Sequence, residues 1–106
     1  MSKRINIYHF LVKIDACYEA INWARYIPSI TQYWNICPYG AWMDYFADAL
    51  YRYKCLSLEN YKKVIKALNQ RGTKLTPADR IRNAVPARII ALAAGKYARR
   101  YKLYFS

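Results

Sequence analysis

Glycine and proline are scarce in this chain of 106 residues, which contains three of the first and four of the second. Architectures built from many short strands depend on these residues for their tight turns, so the composition argues against an all-β fold. Three glycines also leave little material for a phosphate-binding loop, and the sequence contains no Walker motif and no nucleophile elbow. The shortage favours a helical protein without the common nucleotide or esterase sites.

Histidine and cysteine are too few for the usual metal or disulfide frameworks. His9 is the only histidine and has no second ligand at a suitable spacing, so we expect neither a metal nor another cofactor. Cys17, Cys37 and Cys55 are odd in number and widely spaced, which fits neither a set of disulfides nor a zinc site. We expect reduced thiols, which indicate a reducing compartment and therefore the cytoplasm.

Long apolar runs are missing, although 56% of the residues are hydrophobic. No stretch approaches the ~20 uninterrupted apolar residues of a membrane span. Lys3 and Arg4 resemble the start of an export signal, but His9, Lys13 and Asp15 interrupt the apolar stretch that follows them. We therefore expect one soluble domain over residues 1–106, with enough apolar material for a modest core.

Acidic residues are few, and their distribution along the chain is uneven. The chain has 18 basic and six acidic residues, for a formal net charge of +12. Residues 1–61 hold six basic and five acidic side chains, whereas residues 62–106 hold twelve basic side chains and Asp79 alone. The near-neutral, aromatic first part and the strongly basic second part together indicate an anionic partner: nucleic acid, an acidic protein surface or anionic lipid.

The apolar spacing predicts an all-α fold, a compact bundle of five to six helices. Ile7, Leu11, Ile14, Tyr18 and Ile21 follow one another at alternating steps of four and three, which is the period of an amphipathic helix. The same reasoning predicts a helix over about 5–26 that stops before Pro28, a short helix or turn over 29–37 and a helix over about 41–54. A fourth segment is a helix that is capped by Ser57 and ends before Gly72. The fifth is a helix from Pro77 to about Tyr101, with Thr76 as its cap. Pro86 predicts a kink in the last segment, or two abutting helices.

No set of side chains in the sequence is typical of catalysis. Asp44 and Asp48 are four residues apart and could share one helix face, but a solvated face, or a partnership with Arg52 or with the basic part of the chain, is the more usual arrangement. We therefore expect a protein that is not an enzyme and has no small-molecule substrate.

Two groups of basic residues are the candidate binding surface. The first lies on the outer side of the helix after Ser57, in the loop that follows it and in the start of the last helix: Lys62, Lys63, Lys66, Arg71, Lys74, Arg80, Arg82 and Arg88. The second interleaves cations with aromatic rings near the end of the chain: Lys96, Tyr97, Arg99, Arg100, Tyr101, Lys102 and Tyr104. Such a mixture holds phosphates while bases stack, and it also suits a contact with a protein.

Aromatic residues of the first part are expected to form the core. Trp34 and Trp42 belong to this group, and so do some of the twelve tyrosines, among them Tyr18, Tyr45 and Tyr61.

Residues 14–47 carry a resemblance to a known family. Ala16-Cys17-Tyr18-Glu19-Ala20-Ile21-Asn22-Trp23 resembles an Ala-Cys-x-x-Ala-x-x-Trp segment, and residues 34–46 resemble the Trp-x-x-Cys-x-x-Gly-x-Trp segment that follows it, with Tyr45 in place of a second Trp. Together they resemble a family of small helical proteins that is common in bacteriophage genomes and is sometimes labelled immunity-protein-like. The family has no established activity, so the resemblance implies a phage setting and a helical fold.

These observations lead to three functional hypotheses. The first is a phage-type binding protein whose basic part contacts nucleic acid or a nucleoprotein complex, for instance an anti-defence inhibitor of the anti-CRISPR kind; this step rests on analogy. The second is a regulator or packaging accessory that binds duplex DNA. The third is a peripheral membrane protein whose basic 86–103 helix lies on anionic lipid, although its alanine-rich apolar face would insert weakly.

Overall fold

The computed structural model describes residues 4–37, 39–70 and 77–104, with the backbone alone given for 77–83. The described residues form helices, and an isolated antiparallel bridge joins Ile5 to Tyr104. The predicted all-α bundle is therefore confirmed. The helices are α1 (Ile7–Lys13), α2 (Tyr18–Trp23), α3 (Ile30–Ile36), α4 (Gly40–Arg52), α5 (Leu58–Gln70) and α6 (Pro77–Tyr101).

The single helix predicted over 5–26 is wrong, because the chain turns sharply at Asp15. Asp15 has a φ of 63°, the left-handed conformation that ends a helix. The amide of Ala16 donates to the carbonyl of Leu11 at 3.0 Å, and the amide of Asp15 donates to the carbonyl of Val12 at 3.0 Å. These two bonds form a Schellman motif, which satisfies carbonyls at the end of α1 and separates it from α2.

The ends of α4 and α6 are closed in the same way, again without glycine. Lys54 has a φ of 62° and Lys102 a φ of 57°. The residue after each of them is apolar, and its amide reaches back to the last turn: Cys55 to Leu50 at 2.9 Å and Leu103 to Ala98 at 3.0 Å. A left-handed backbone costs an ordinary side chain about 1–2 kcal/mol, so these two lysines occupy strained positions.

The starts of the helices follow the sequence prediction more closely. The Ser57 hydroxyl accepts from the amide of Asn60 at 3.1 Å, as expected of the cap of α5. Pro77 is the first residue of α6, where its missing N–H costs nothing. Gly72 and Thr76, the other predicted boundary residues, lie outside the described residues.

The last helix, α6, packs against α3, α4 and α5. It runs through Pro86 as one element, so two abutting helices are not observed. Its inner side is built mostly from small residues, which allow the neighbouring helices to approach closely. The inner side consists of Ala87, Ile90, Ala93, Ala94, Tyr97 and Ala98.

Aromatic rings fill the core between these helices. Trp34 and Tyr33 of α3 are fully buried, and Phe46 of α4 stacks on Phe10 of α1 with ring centroids 5.1 Å apart. Trp42 is only partly buried and packs at the edge of this core, with its centroid 6.1 Å from that of Trp23. Trp34 is therefore the central tryptophan.

Two of the tyrosines expected in the core lie at the surface. Tyr18 is 76% exposed, because it begins α2 just after the turn at Asp15. Tyr45 is also exposed, and its hydroxyl reaches the Ile14 carbonyl at 2.7 Å and the Asp15 carbonyl at 2.9 Å, which ties α4 to the end of α1. Tyr61 is partly buried and packs against the core.

Candidate nucleic-acid interface

The outer side of α6 presents basic and aliphatic side chains to solvent. Val85, Arg88, Leu92, Lys96 and Arg99 are all exposed and follow one another at steps of three or four, so they form one stripe along the helix. We call these five residues the α6 face. Val85 and Leu92 are 65% and 66% exposed, which places two large apolar side chains among three cations.

The cations of the α6 face have no acidic partner among the described residues. The ion pairs that the structure gives there lie within single helices: Asp48 with Arg52 at 3.2 Å in α4, and Glu59 with Lys63 at 3.6 Å in α5. Asp48 thus pairs inside its own helix and not with the basic part of the chain. Within the described part of the chain, Arg88, Lys96 and Arg99 therefore have no ion-pair partner.

The helix α5 adds a second row of lysines. Lys62, Lys63 and Lys66 are exposed, as predicted, on the side away from the buried Val64 and Leu68. Lys62 and Lys66 line a shallow depression of about 470 Å³ along this helix. Lys63 is paired with Glu59, so the free positive charge of α5 rests on the other two lysines.

Tyr97 is not a surface residue, which corrects the prediction for the end of the chain. It is 1% exposed, and its ring lies 5.2 Å from that of Phe10 and 5.2 Å from that of Tyr53. Burial, followed by the nearby Tyr53 and Tyr101, raises the pKa of Tyr97 to about 12. Its spacing of seven residues from Ile90 is the signal that could have identified it as core, despite its basic neighbours.

The other two predicted tyrosines are only partly available. Tyr101 is 37% exposed, and the Lys13 ammonium lies 4.7 Å from the centre of its ring. The Tyr104 hydroxyl donates to the Gly95 carbonyl at 3.3 Å, which holds this partly buried residue against α6. The predicted aromatic-cationic tail therefore packs back on the bundle, and its cations are its main exposed groups.

Arg100 has a structural contact in addition to its charge. Its Nη1 donates to the Tyr53 carbonyl at 2.8 Å, which satisfies the last carbonyl at the end of α4. Arg99 and Arg100 also lie in the last turn of α6, where positive charge stabilises the helix dipole. Lys102, at its left-handed position just after the helix, is exposed.

Four predicted residues cannot be placed in the interface. Arg71 and Lys74 lie outside the described residues. Arg80 and Arg82 belong to α6, but only their backbone is described.

Two basic residues that the sequence did not single out lie next to Lys96. Arg52 and Lys54, at the end of α4, line a groove of about 580 Å³ together with Lys96 of α6. We call it the corner groove, because it lies where α4 turns into α5; its remaining lining is Tyr51, Cys55, Leu56 and Ser57. The basic surface thus extends into the near-neutral part of the chain, a contact between distant segments that only the fold reveals.

Other site types find less support in the described residues. No group of three potential metal ligands occurs among them. Cys17, Cys37 and Cys55 are free thiols, of which only Cys17 is exposed. An apolar cavity of about 320 Å³ lies beside the turn between α1 and α2, with Tyr33, Trp42 and Phe46 in its wall.

Two features of the described helices bear on the membrane hypothesis. Among the described helices, none combines the length and apolarity that a bilayer crossing requires. The alanine-rich side of α6, which the membrane hypothesis takes as its apolar face, is buried in the core.

Comparison with protein-family models, with curated proteins and with solved structures finds no match for this chain. The resemblance of residues 14–47 to a phage protein family therefore stays a prediction.

Proposed function

We propose that this chain is a non-enzymatic, cytoplasmic binding protein whose basic α6 face contacts the phosphate backbone of nucleic acid. The observation that carries the proposal is the exposed row of Arg88, Lys96 and Arg99, which has no acidic partner among the described residues. Phosphates supply the negative charge that would neutralise this row of cations. Their neutralisation releases the counterions bound to the nucleic acid, which is the main source of affinity in such complexes.

The length of the row suits a polymeric ligand. Arg88 and Arg99 are eleven residues apart, which is about 16 Å along a helix. This distance spans several phosphates of one strand. Lys62 and Lys66 of α5 add charge on a helix that packs against α6.

The dependence of affinity on salt tests the proposal. Fluorescence anisotropy with a labelled oligonucleotide would give the slope of log affinity against log salt for the protein and for the double variant Arg88→Gln/Arg99→Gln. Loss of two phosphate contacts lowers the magnitude of the slope by about 1.4–1.8. Arg25→Gln removes an equal charge per residue from an exposed site between α2 and α3 and serves as the control. The proposal is contradicted if the control lowers the slope by as much per removed charge as the double variant does. It is also contradicted if the protein does not bind the oligonucleotide at low salt.

A second candidate is a protein that occludes a nucleoprotein complex of a host defence system, such as an anti-CRISPR inhibitor. The exposed Val85 and Leu92 favour it, because apolar side chains within a basic face gain more from a protein surface than from phosphates. Capture of a complex from phage-infected host lysate, repeated after nuclease treatment, distinguishes the two. Leu92→Gln is expected to weaken capture of a nucleoprotein and to leave the affinity for free nucleic acid unchanged. If it instead lowers the affinity for free nucleic acid and leaves capture unchanged, this candidate is excluded.

A further inference from the structure

The corner groove combines positive charge from two distant segments of the chain. Lys54 follows the last turn of α4, and Lys96 lies five residues before the end of α6 at Tyr101, yet both line the groove. Neither lysine has an ion-pair partner among the described residues. Arg52 lines the groove as well, and its charge is offset by Asp48 at 3.2 Å. The groove therefore carries an excess of two positive charges.

The rest of the lining provides an aromatic wall and an apolar floor. Tyr51 lines the groove, is 37% exposed, and stacks against Tyr61, with ring centroids 4.8 Å apart and an angle of 26° between the rings. This stacking holds the Tyr51 ring in place. Cys55 and Leu56 are buried beneath the opening, and the hydroxyl of Ser57, which caps α5, remains able to donate.

The size and chemistry of the groove match one unit of a nucleic-acid strand. A volume of about 580 Å³ lies within the range of small-ligand sites. Paired lysines bind a phosphate group, and a fixed tyrosine ring accepts a base in a stacked position, which is the pattern of proteins that bind single strands. A base within a duplex is already stacked and paired, so it cannot enter such a groove.

We infer that the corner groove binds one nucleotide of a single strand, with its phosphate between Lys54 and Lys96 and its base against Tyr51. This inference rests on the proposed function and deepens it, since it selects single-stranded over duplex nucleic acid. Lys96 belongs to both the groove and the α6 face, so a strand seated in the groove continues along α6.

Titration with a mononucleotide tests the groove separately from the polymer. Adenosine 5′-monophosphate, adenosine and inorganic phosphate are added in turn to the ¹⁵N-labelled protein at low salt, and the amide signals of residues 51–57 and 96 are followed. The mononucleotide binds about tenfold more tightly than either of its parts, because it uses the lysines and the tyrosine together. Absence of shifts at these residues, or equal affinity for phosphate alone, overturns the inference.

Matched variants assign the two parts of the ligand to their residues. Lys54→Asn/Lys96→Gln lowers the affinity for the mononucleotide about tenfold or more; Asn is chosen at position 54 because it tolerates the left-handed backbone there. Tyr51→Leu lowers the affinity for the mononucleotide but not for phosphate. Arg25→Gln, which removes a cation outside both the groove and the candidate binding surface, leaves both affinities unchanged. A loss in the control equal to that in the groove variants contradicts the assignment.

A competition experiment separates failure of this inference from failure of the proposed function. A single-stranded oligonucleotide displaces the mononucleotide, and a duplex of the same length does not; equal displacement by the duplex overturns the inference. If the groove variants leave oligonucleotide affinity unchanged while Arg88→Gln/Arg99→Gln lowers it, the groove inference fails and the α6 face stands. If the mononucleotide binds in the groove but no oligonucleotide binds, the groove stands and the proposed function fails.

Discussion

The near-neutral part of the chain and the basic part differ in how their characteristic side chains are used. In the first part, rings are turned toward one another: Trp34 and Tyr33 are buried, and Trp23 packs edge-on against Trp42 and Tyr39. In the basic part, one helix carries both a core side and an exposed cationic side. Among the described residues, the exposed cations of α6 form no ion pair with the first part, because the inner side of α6 completes the aromatic core and its cationic side faces solvent.

The largest expected effect is the loss of the central tryptophan. Trp34→Ala removes a fully buried indole from α3, which packs on α6, and lowers the free energy of unfolding by about 3–5 kcal/mol. Trp42→Ala removes a partly buried indole at the edge of the core and costs less than half as much. Urea unfolding followed by circular dichroism measures both. If both variants lost the same free energy of unfolding, Trp34 would not be the central tryptophan of the core.

Alkaline pH tests whether the end of α6 is core or surface. The pKa of Tyr97 is raised by burial to about 12, so the folded protein retains this proton while the unfolded chain loses it near pH 10. Stability from this residue is complete below pH 10 and falls as the pH rises from 10 to 12, by roughly 1–2 kcal/mol at pH 11. Tyr97→Phe lacks this loss, and unfolding measured at pH 8 and pH 11 compares the two proteins.

The unchanged protein is the reference for Tyr97→Phe in that experiment, because the two proteins differ only in the hydroxyl group of residue 97. An equally steep loss in Tyr97→Phe would mean that other groups cause the alkaline instability.

Two adjacent arginines distinguish a structural from a binding role. Arg100→Gln removes the bond to the Tyr53 carbonyl and lowers the free energy of unfolding by about 1 kcal/mol. Arg99→Gln changes stability by no more than about 0.5 kcal/mol but weakens oligonucleotide binding. Thermal unfolding measures the stability of the two variants, and fluorescence anisotropy measures their affinity for an oligonucleotide. If Arg99→Gln were the more destabilising change, this division of roles would be wrong.

The smallest expected effect is a gain in stability at the end of α6. Lys102→Gly relieves a left-handed backbone with a φ of 57° and raises the free energy of unfolding by about 0.5–1 kcal/mol, after the entropic cost of glycine is subtracted. The same substitution at Lys96, inside the helix, has the opposite sign and costs about 1 kcal/mol. Thermal unfolding of both variants measures whether each one gains or loses stability. A loss of stability in Lys102→Gly would contradict the inference that the backbone at this position is strained.

The sequence predicted the fold class, most helix starts and the end of α6 at Tyr101, but not the break between α1 and α2. Apolar spacing and capping residues such as Ser57 are local signals, and both were reliable here. The end of α1 was missed because Asp15, and not glycine, occupies the left-handed position. The exposed lysines of α5 were predicted from the same helical period that identifies its buried side.

The candidate site was predicted only in part, for two physical reasons. Tyr97 was assigned to the surface because its sequence neighbours are basic, although a helix turns adjacent residues 100° apart and faces this one inward. Lys54 was not assigned at all, because its proximity to Lys96 depends on how α4 and α6 pack, which no local pattern encodes.

The alanines on the inner side of α6 link the volume of the core to the spacing of charges on the surface. Ala87, Ala94 and Ala98 have almost no exposed area, so an added methylene group there displaces neighbouring side chains or the backbone of α6. Such a displacement would carry Lys96 away from Lys54 without altering either lysine. A substitution invisible from outside would thereby change the distance between the two charges that a ligand meets.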